Sequence, residues 1–363
     1  MFKLLSAVLP LLALLLLSCK SGTELNMITV KLFPPPSDKI YLGAFPDFGG
    51  SEENVSQKKI EEFESLVGRK LVWAAFSQNW FDGIIYPKEE IHTIDASGVV
   101  PYVRLMPRSD EVLEHPEKHF TLQRIIEGEF DDALRQWARD AKEDGIPILA
   151  DFAVEMNGNW FPWSGVFNGG SRTDGYGDPD YPDGPERYRD AYRHIIELFR
   201  DEGVRHITWV FHINLTPAPD ASWNQAANYY PGDDYIDWVG FSVYGAQNID
   251  EEWEGLEFST QLRERCDSFK AVSSSKPRAV LEFGVTDGHP QGNKSAWLDD
   301  AFATILHNDC TNFQAVNPWH ENWQNEDDSW SLLRLDSSPE VTATVRRWLS
   351  DPRFISEPVF SGE

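Results

Sequence analysis

Residues 147–163 read PILADFAVEMNGNWFPW, and the first eight are apolar except for Asp151. Such a run suits a strand buried on both faces, as in a parallel sheet covered by helices. Glu155 falls where the run ends and the loop Met156, Asn157, Gly158, Asn159 begins. A carboxylate there, followed at once by Trp160 and Trp163, is poor packing material. The plain alternative is an exposed glutamate in a loop beside two core tryptophans.

Outward from this stretch the pattern alternates. Strands are expected over 39–48, 70–76, 99–106, 147–154, 206–215, 237–244, 278–285 and 313–319. Between them, apolar residues at helical spacing predict helices over 56–67, 88–96, 122–143, 187–201, 258–272, 295–307 and 341–349. The connection 216–234 carries no helical pattern. Eight strands alternating with helices, and no Gly-x-Gly-x-x-Gly turn after the first, predict an α/β fold of the (β/α)8 TIM-barrel type rather than a doubly wound sheet. A single catalytic domain over 38–355 has a length suited to it.

Ahead of that domain, Lys3, the apolar run 8–17 and Ser18-Cys19 form an export signal too short to span a bilayer. The ending Leu16-Leu17-Ser18-Cys19 resembles the lipobox of bacterial lipoproteins. That resemblance implies that residues 1–19 are the signal peptide, that Cys19 is lipidated, and that the exported protein is held at the cell envelope or surface. Residues 20–37, ending in Pro34-Pro35-Pro36, are read as a tether. Cys266 and Cys310 remain, free to pair in an oxidising compartment or to serve as small buried hydrophobes. The net charge of −27 argues against nucleic acid and polyanions as partners and favours a neutral substrate. The acidic loop Asp174 to Asp180 lacks EF-hand spacing and is read as a turn cluster, so neither a metal nor a cofactor is expected. The protein is expected to act as a monomer.

In a barrel, chemistry gathers at the C-terminal ends of the strands. Collected there are Asp47 and Phe48, Gln78 and Trp80, Arg104, Glu155 with Asn157, Trp160 and Trp163, His212 and Asn214, Tyr244, Glu282, and Trp319, His320, Glu321 and Trp323. Glu282 is the only charge in 279–284, AVLEFG. An unpaired buried carboxylate is costly unless something uses or satisfies it; an ion pair with Arg104 or His212 is the structural alternative. Two carboxyls facing one cleft are what hydrolysis of a glycosidic bond requires. The chain also has 14 tryptophans, and indole rings stack well on the C–H faces of sugars. Trp137 and Trp297, in predicted helices, are assigned to the core, and Trp160, Trp163, Trp319 and Trp323 to sugar platforms. Asn157, His212 and His320 are candidate hydrogen-bond partners for substrate, and Tyr244 a partner for a nucleophile.

The run Val154-Glu155-Met156-Asn157-Gly158-Asn159-Trp160-Phe161-Pro162-Trp163, with Tyr230-Pro231-Gly232-Asp233, Asp237-Trp238-Val239-Gly240 and Glu282-Phe283-Gly284, resembles glycoside hydrolase family 26. The resemblance implies a (β/α)8 barrel and a retaining endo-β-glycanase. It implies Glu155 as acid/base, Glu282 as nucleophile, Tyr244 as the support of Glu282, and Trp319 beneath the sugar at the cleavage point. β-1,4-Mannan or glucomannan is the expected substrate; a mixed-linkage β-glucan or β-1,3-xylan is the alternative within the family. Mannanases of the family usually have His before the acid/base, where this chain has Val154. A reading of another class is a surface lipoprotein that binds glycans without cleaving them.

Overall fold

The computed structural model describes residues 30–307, 309–325 and 328–361. The expected signal, Cys19 and the first part of the expected tether lie outside the described residues. Eight parallel strands close on themselves: β1 (Ile40–Ala44), β2 (Trp73–Asn79), β3 (Val100–Met106), β4 (Ile148–Phe152), β5 (Ile207–Asn214), β6 (Trp238–Tyr244), β7 (Arg278–Gly284) and β8 (Ala315–Pro318). Each pairs with its sequence neighbour, and β1 pairs with β8 to complete the (β/α)8 barrel. Helices pack outside, and aromatic and branched residues fill the lumen and the space beneath the helices.

Close approach explains one residue in that lumen. A Cβ added at Gly43 would lie 1.9 Å from Nε1 of Trp73. Glycine on β1 therefore makes room for the indole, which donates to Asn317 Oδ1 at 2.8 Å and packs edge-on against Tyr41, Tyr102 and Trp238. Trp137 and Trp297 are buried, as expected of core residues.

Several expectations about local structure are corrected. The helix read over 122–143 is two, Leu122–Ile126 and Asp131–Asp144, because Gly128 takes the left-handed conformation at φ 81° between them. The helix expected from 187 begins earlier, as Asp183–Asp201, where the Asp183 carboxylate accepts the Gly175 N–H and joins the acidic loop to the helix start. The connection 216–234 contains two short helical turns, Ser222–Asn224 and Ala226–Tyr229.

The base of the barrel departs most from the sequence reading. Residues 31–33, expected in the tether, are docked there: Leu32–Phe33 pairs antiparallel with Val359–Phe360. Leu32 is buried, its N–H donates to Thr208 Oγ1 at 2.8 Å, and Lys31 Nζ lies 2.7 Å from Asp237. The folded unit thus starts before 38 and runs past 355, since a buried leucine and paired backbone cannot belong to a free tether. Cys266 and Cys310 form a disulfide that joins the helix Phe258–Lys270 to the segment after the helix Lys294–His307.

Candidate active site

Both glutamates reach the barrel mouth by departures from regular strand geometry. In β7, Ala279 and Leu281 belong to the lumen cluster, while Val280 and Phe283 pack in the larger cluster shared with the helices. Strict alternation would then turn Glu282 away from the lumen. The register shifts instead: Phe241 pairs with Val280 but Ser242 with Glu282, and the pairing with β8 shifts in the same stretch. This one-residue bulge leaves Leu281 and Glu282 both facing inward. At the end of β4 the device is different. Ala153 and Glu155 have φ of 53° and 54°, a conformation uncommon for residues other than glycine. The Glu155 N–H donates to the His212 carbonyl at 2.9 Å, which fixes the turn.

The two carboxyls have unlike surroundings. Glu282 Oε1 is ion-paired with the Arg104 guanidinium, and Oε2 accepts the Tyr244 hydroxyl at 2.8 Å. His212 Nε2 lies 3.9 Å from the same Oε1. Arg104 is itself buried, with Nη2 2.6 Å from Glu52 Oε2 and Nε donating to Ser77 Oγ at 3.2 Å. Glu155 Oε2 accepts the Trp160 indole N–H at 2.9 Å, and the Ser242 hydroxyl is among the groups that lower its proton affinity. Among the described residues, no cation contacts it in this way.

Burial raises the proton affinity of both. For Glu282 burial pushes the carboxyl up to about 7, with Arg104 and His212 pulling it down and the Glu155 charge pushing it up. Glu155 is likewise raised by burial, against the hydrogen bonds from Ser242 and Trp160. The pair repels when both are ionised. A guanidinium and a phenol hydroxyl favour the charged form of Glu282, whereas Glu155 meets an indole.

The other expected site residues divide. His212, Tyr244 and Trp160 stand with the pair. Trp319 is at the mouth but only 4% exposed, stacked on Phe45 at 4.0 Å with the Arg104 guanidinium 5.0 Å from its ring centre, so little of its face is open. Trp163 is not a platform: it is buried, donates to the Val154 carbonyl at 2.7 Å and stacks on Phe161. Asn157 is a staple, bonded through its side chain to the backbone N–H and carbonyl of Asn214. His320 turns away from the pair; its Nδ1 accepts the Leu335 N–H and its ring meets Phe63, while burial pushes it down to about 3. Trp323 lies on the hairpin Asn322–Gln324 with Trp330–Leu332, its indole bonded to Asn325. A cavity of about 660 Å³ lies beside His320, lined also by Asp47, Lys59 and Arg334; it contains neither glutamate. The acidic loop closes on itself, with Asp174 paired to Arg172 and Asp178 accepting the Asp180 N–H.

Sequence reasoning left out of the site three residues that complete it. Arg104 was collected at the strand ends and also read as the ion pair that would satisfy Glu282, and ion pair and candidate pair coexist. Glu52, Ser77 and Ser242 gave no signal, since each is an ordinary polar residue in sequence. Asp151 was visible as the one charge inside the β4 run.

Comparison with known proteins adds the lineage. Residues 98–260, from β3 through β6 and including Glu155, match the model of Glycosyl hydrolase family 26. The chain is 27% identical over 298 residues to Endoglucanase H of Acetivibrio thermocellus, covering 80% of this chain and 29% of that protein. It is 23% identical to Beta-1,3-xylanase TXYA of a Vibrio species, covering 64% of this chain and 50% of the other. A Mannan endo-1,4-beta-mannosidase of Bacillus subtilis is 30% identical over 110 residues, 29% of this chain and 25% of that one. The chain thus spans half or less of the length of these relatives. Among solved structures, a modular endo-β-1,4-mannanase of Cellulomonas fimi superposes with a TM-score of 0.59 at 19% identity, over 88% of this chain and 72% of the other. A Bacillus subtilis mannanase does so at 0.56 and 17%, over 88% of each chain, and these likenesses support the barrel. The resemblance read from the sequence is therefore borne out, and the segment that carries Glu155 is one of glycosyl hydrolase family 26.

Proposed function

We propose that this protein is a retaining endo-β-glycanase acting on a neutral β-linked polysaccharide, with Glu155 as acid/base and Glu282 as nucleophile. The observation that carries the reading is the unequal pair: two buried carboxyls at one mouth, one in contact with Arg104 and Tyr244, the other with the Trp160 indole. In the first step the Glu282 carboxylate attacks the anomeric carbon, the glycosidic C–O bond breaks, and the Glu155 proton goes to the leaving oxygen. In the second, water attacks the same carbon, gives its proton to Glu155, and the ester bond to Glu282 breaks.

β-1,4-Mannan or glucomannan is the first substrate proposed, from the family's prevailing use. Mixed-linkage β-glucan is the second. Val154 is buried where a mannanase of the family usually has His, and the match to an endoglucanase extends over 80% of the chain. The comparisons lend no support to a glycan binder without catalysis. A reducing-sugar assay on mannan, glucomannan, lichenan, β-1,3-xylan and cellulose tests the reading: release from one of the five supports it, and none from any overturns it. Export and anchoring through Cys19 belong to the same proposal; Cys19→Ala should move the protein from the membrane to the soluble fraction.

A further inference from the structure

A second hollow opens beside the loop that Glu155 begins, and the catalytic pair does not line it. Its volume is about 420 Å³, and its walls are Glu114 of the loop after β3, Asn159, Val166 and Phe167 of the loop after β4, and Ala218 and Pro219 of the loop after β5. Each wall is bonded to the stretch 155–160. The Glu114 N–H donates to the Trp160 carbonyl at 2.7 Å and the Ala218 N–H to the Asn157 carbonyl at 2.8 Å. The Gly165 N–H, at the start of the turn Gly165–Phe167, donates to the Met156 carbonyl at 2.9 Å. Asn159 itself precedes Trp160, whose indole N–H meets Glu155 Oε2 at 2.9 Å. The hollow is thus built on the same loop as Glu155, with none of Arg104, Tyr244 and Glu282 in its walls.

Those walls suit a sugar. Val166 and Phe167 are half-buried but stand outside the apolar clusters of the core, which leaves an apolar face for the C–H side of a pyranose ring. The Asn159 amide and the Glu114 carboxylate are exposed and have no side-chain partner among the described residues. An amide both donates and accepts and a carboxylate accepts, so together they match hydroxyl groups, while the bare charge of Glu114 disfavours an acidic glycan.

We propose that this hollow binds the sugar units on the leaving-group side of the bond that is cleaved, with Phe167 as the stacking face and Asn159 and Glu114 as hydroxyl partners. This rests on Glu155 being the acid/base: its proton goes to the leaving oxygen, so the part of the glycan that departs lies on the Glu155 side of the pair. Contacts made there hold the departing sugar during the first step. They are gone once it leaves, so the hydrolysis of the ester on Glu282 does not depend on them.

The test uses the full chain, on a polysaccharide that the wild type cleaves, on a reducing-end-labelled oligosaccharide of that glycan, and on an aryl β-glycoside, whose leaving group carries no sugar. Phe167→Ala should lower kcat/KM on the polysaccharide by roughly three- to tenfold, the worth of one stacked ring. Asn159→Ala should lower it by roughly two- to tenfold, the worth of one hydrogen bond. On the aryl glycoside both losses should be smaller. On the oligosaccharide both variants should move the preferred cleavage toward the reducing end, because fewer sugars then sit on the leaving-group side. Asn159 is exposed, so its variant should melt with wild type and carries the test if Phe167→Ala does not fold. Equal losses on polysaccharide and aryl glycoside overturn the site, as does a shift of cleavage toward the non-reducing end. A wild type that cleaves no β-glycan removes the proposed function and this site with it. Variants that match a cleaving wild type in rate and in choice of bond overturn the site alone.

Discussion

The ends of β4 and β7 offer the same residue, buried to the same 7% exposure, at the same mouth. They differ in how the backbone delivers the side chain and in what meets it. β7 inserts an extra residue and sends Glu282 to a guanidinium, a phenol and an imidazole. β4 ends in left-handed backbone and sends Glu155 to an indole. Burial alone favours the proton on both, so in the proposed mechanism the partners decide which carboxyl attacks and which gives the proton. Role is set by the neighbours and not by the residue type.

The most severe way to break this comparison is to delete each side chain in turn. Glu282→Ala removes the attacking group and should cost on the order of 10⁴-fold or more in kcat on any substrate, however good its leaving group. Azide, seated in the space left, should restore turnover with an α-glycosyl azide as product, seen by NMR. Glu155→Ala should cost less, roughly 10²–10⁴-fold on polysaccharide, the usual worth of a general acid. On an aryl glycoside with an acidic leaving group most of the first step should survive, and azide should give the β-product. Equal losses on both substrate types for both variants would erase the distinction between the strand ends.

Much of this was legible in the sequence, for reasons that also mark its limits. Strands buried on both faces write themselves as apolar runs, so the barrel and Glu155 and Glu282 as strand-end charges could be read. The bulge could not, because Ala279 to Phe283 has no glycine or proline to announce an extra residue. Nor could the positive φ of Glu155, at a position where glycine would be the usual signal. Trp163, Asn157 and His320 were expected at the substrate because they are near the glutamates or the strand ends in sequence. Their directions are set by contacts made far along the chain, such as Asn157 with Asn214 and His320 with Leu335. Arg104 reads equally as a structural ion pair or as part of a site. Only its bond to Glu282 with Tyr244 opposite shows that it is both.

A milder change sharpens the comparison by weakening one partner set without removing either glutamate. Tyr244→Phe deletes the hydroxyl that donates to Glu282 Oε2 and leaves the ring. A hydrogen bond to a charged group is worth about 1.5–3 kcal/mol, so kcat/KM should fall by roughly ten- to a hundredfold. The acidic limb of the pH profile should move up, since Glu282 loses a donor that favours its charge. If only the basic limb moves, the charge sits on Glu155 and the assignment of roles is reversed.

The smallest effect is expected at a third carboxyl that neither strand end uses. Glu321 follows β8, buried near the mouth, and burial pushes it up to about 8, with the Glu52 and Asp47 charges adding to the rise. A carboxyl whose affinity for the proton is higher in the folded than in the unfolded chain, where it titrates near 4.3, stabilises the fold at low pH. That stability is lost as pH rises from about 4.3 through about 8, because ionisation is then easier in the unfolded chain. Glu321→Gln keeps the shape and cannot ionise, so the variant should melt with wild type at pH 4 and above it, by a few degrees or more, at pH 8.5. Its kcat/KM should change by less than that of Tyr244→Phe, since no bond to Glu155 or Glu282 is lost. A wild type whose melting temperature does not fall relative to the variant across that range would mean that Glu321 is satisfied as a carboxylate. In that case burial at this mouth would not by itself hold a proton, and the protonation of Glu155 would have to rest on its repulsion with Glu282 alone.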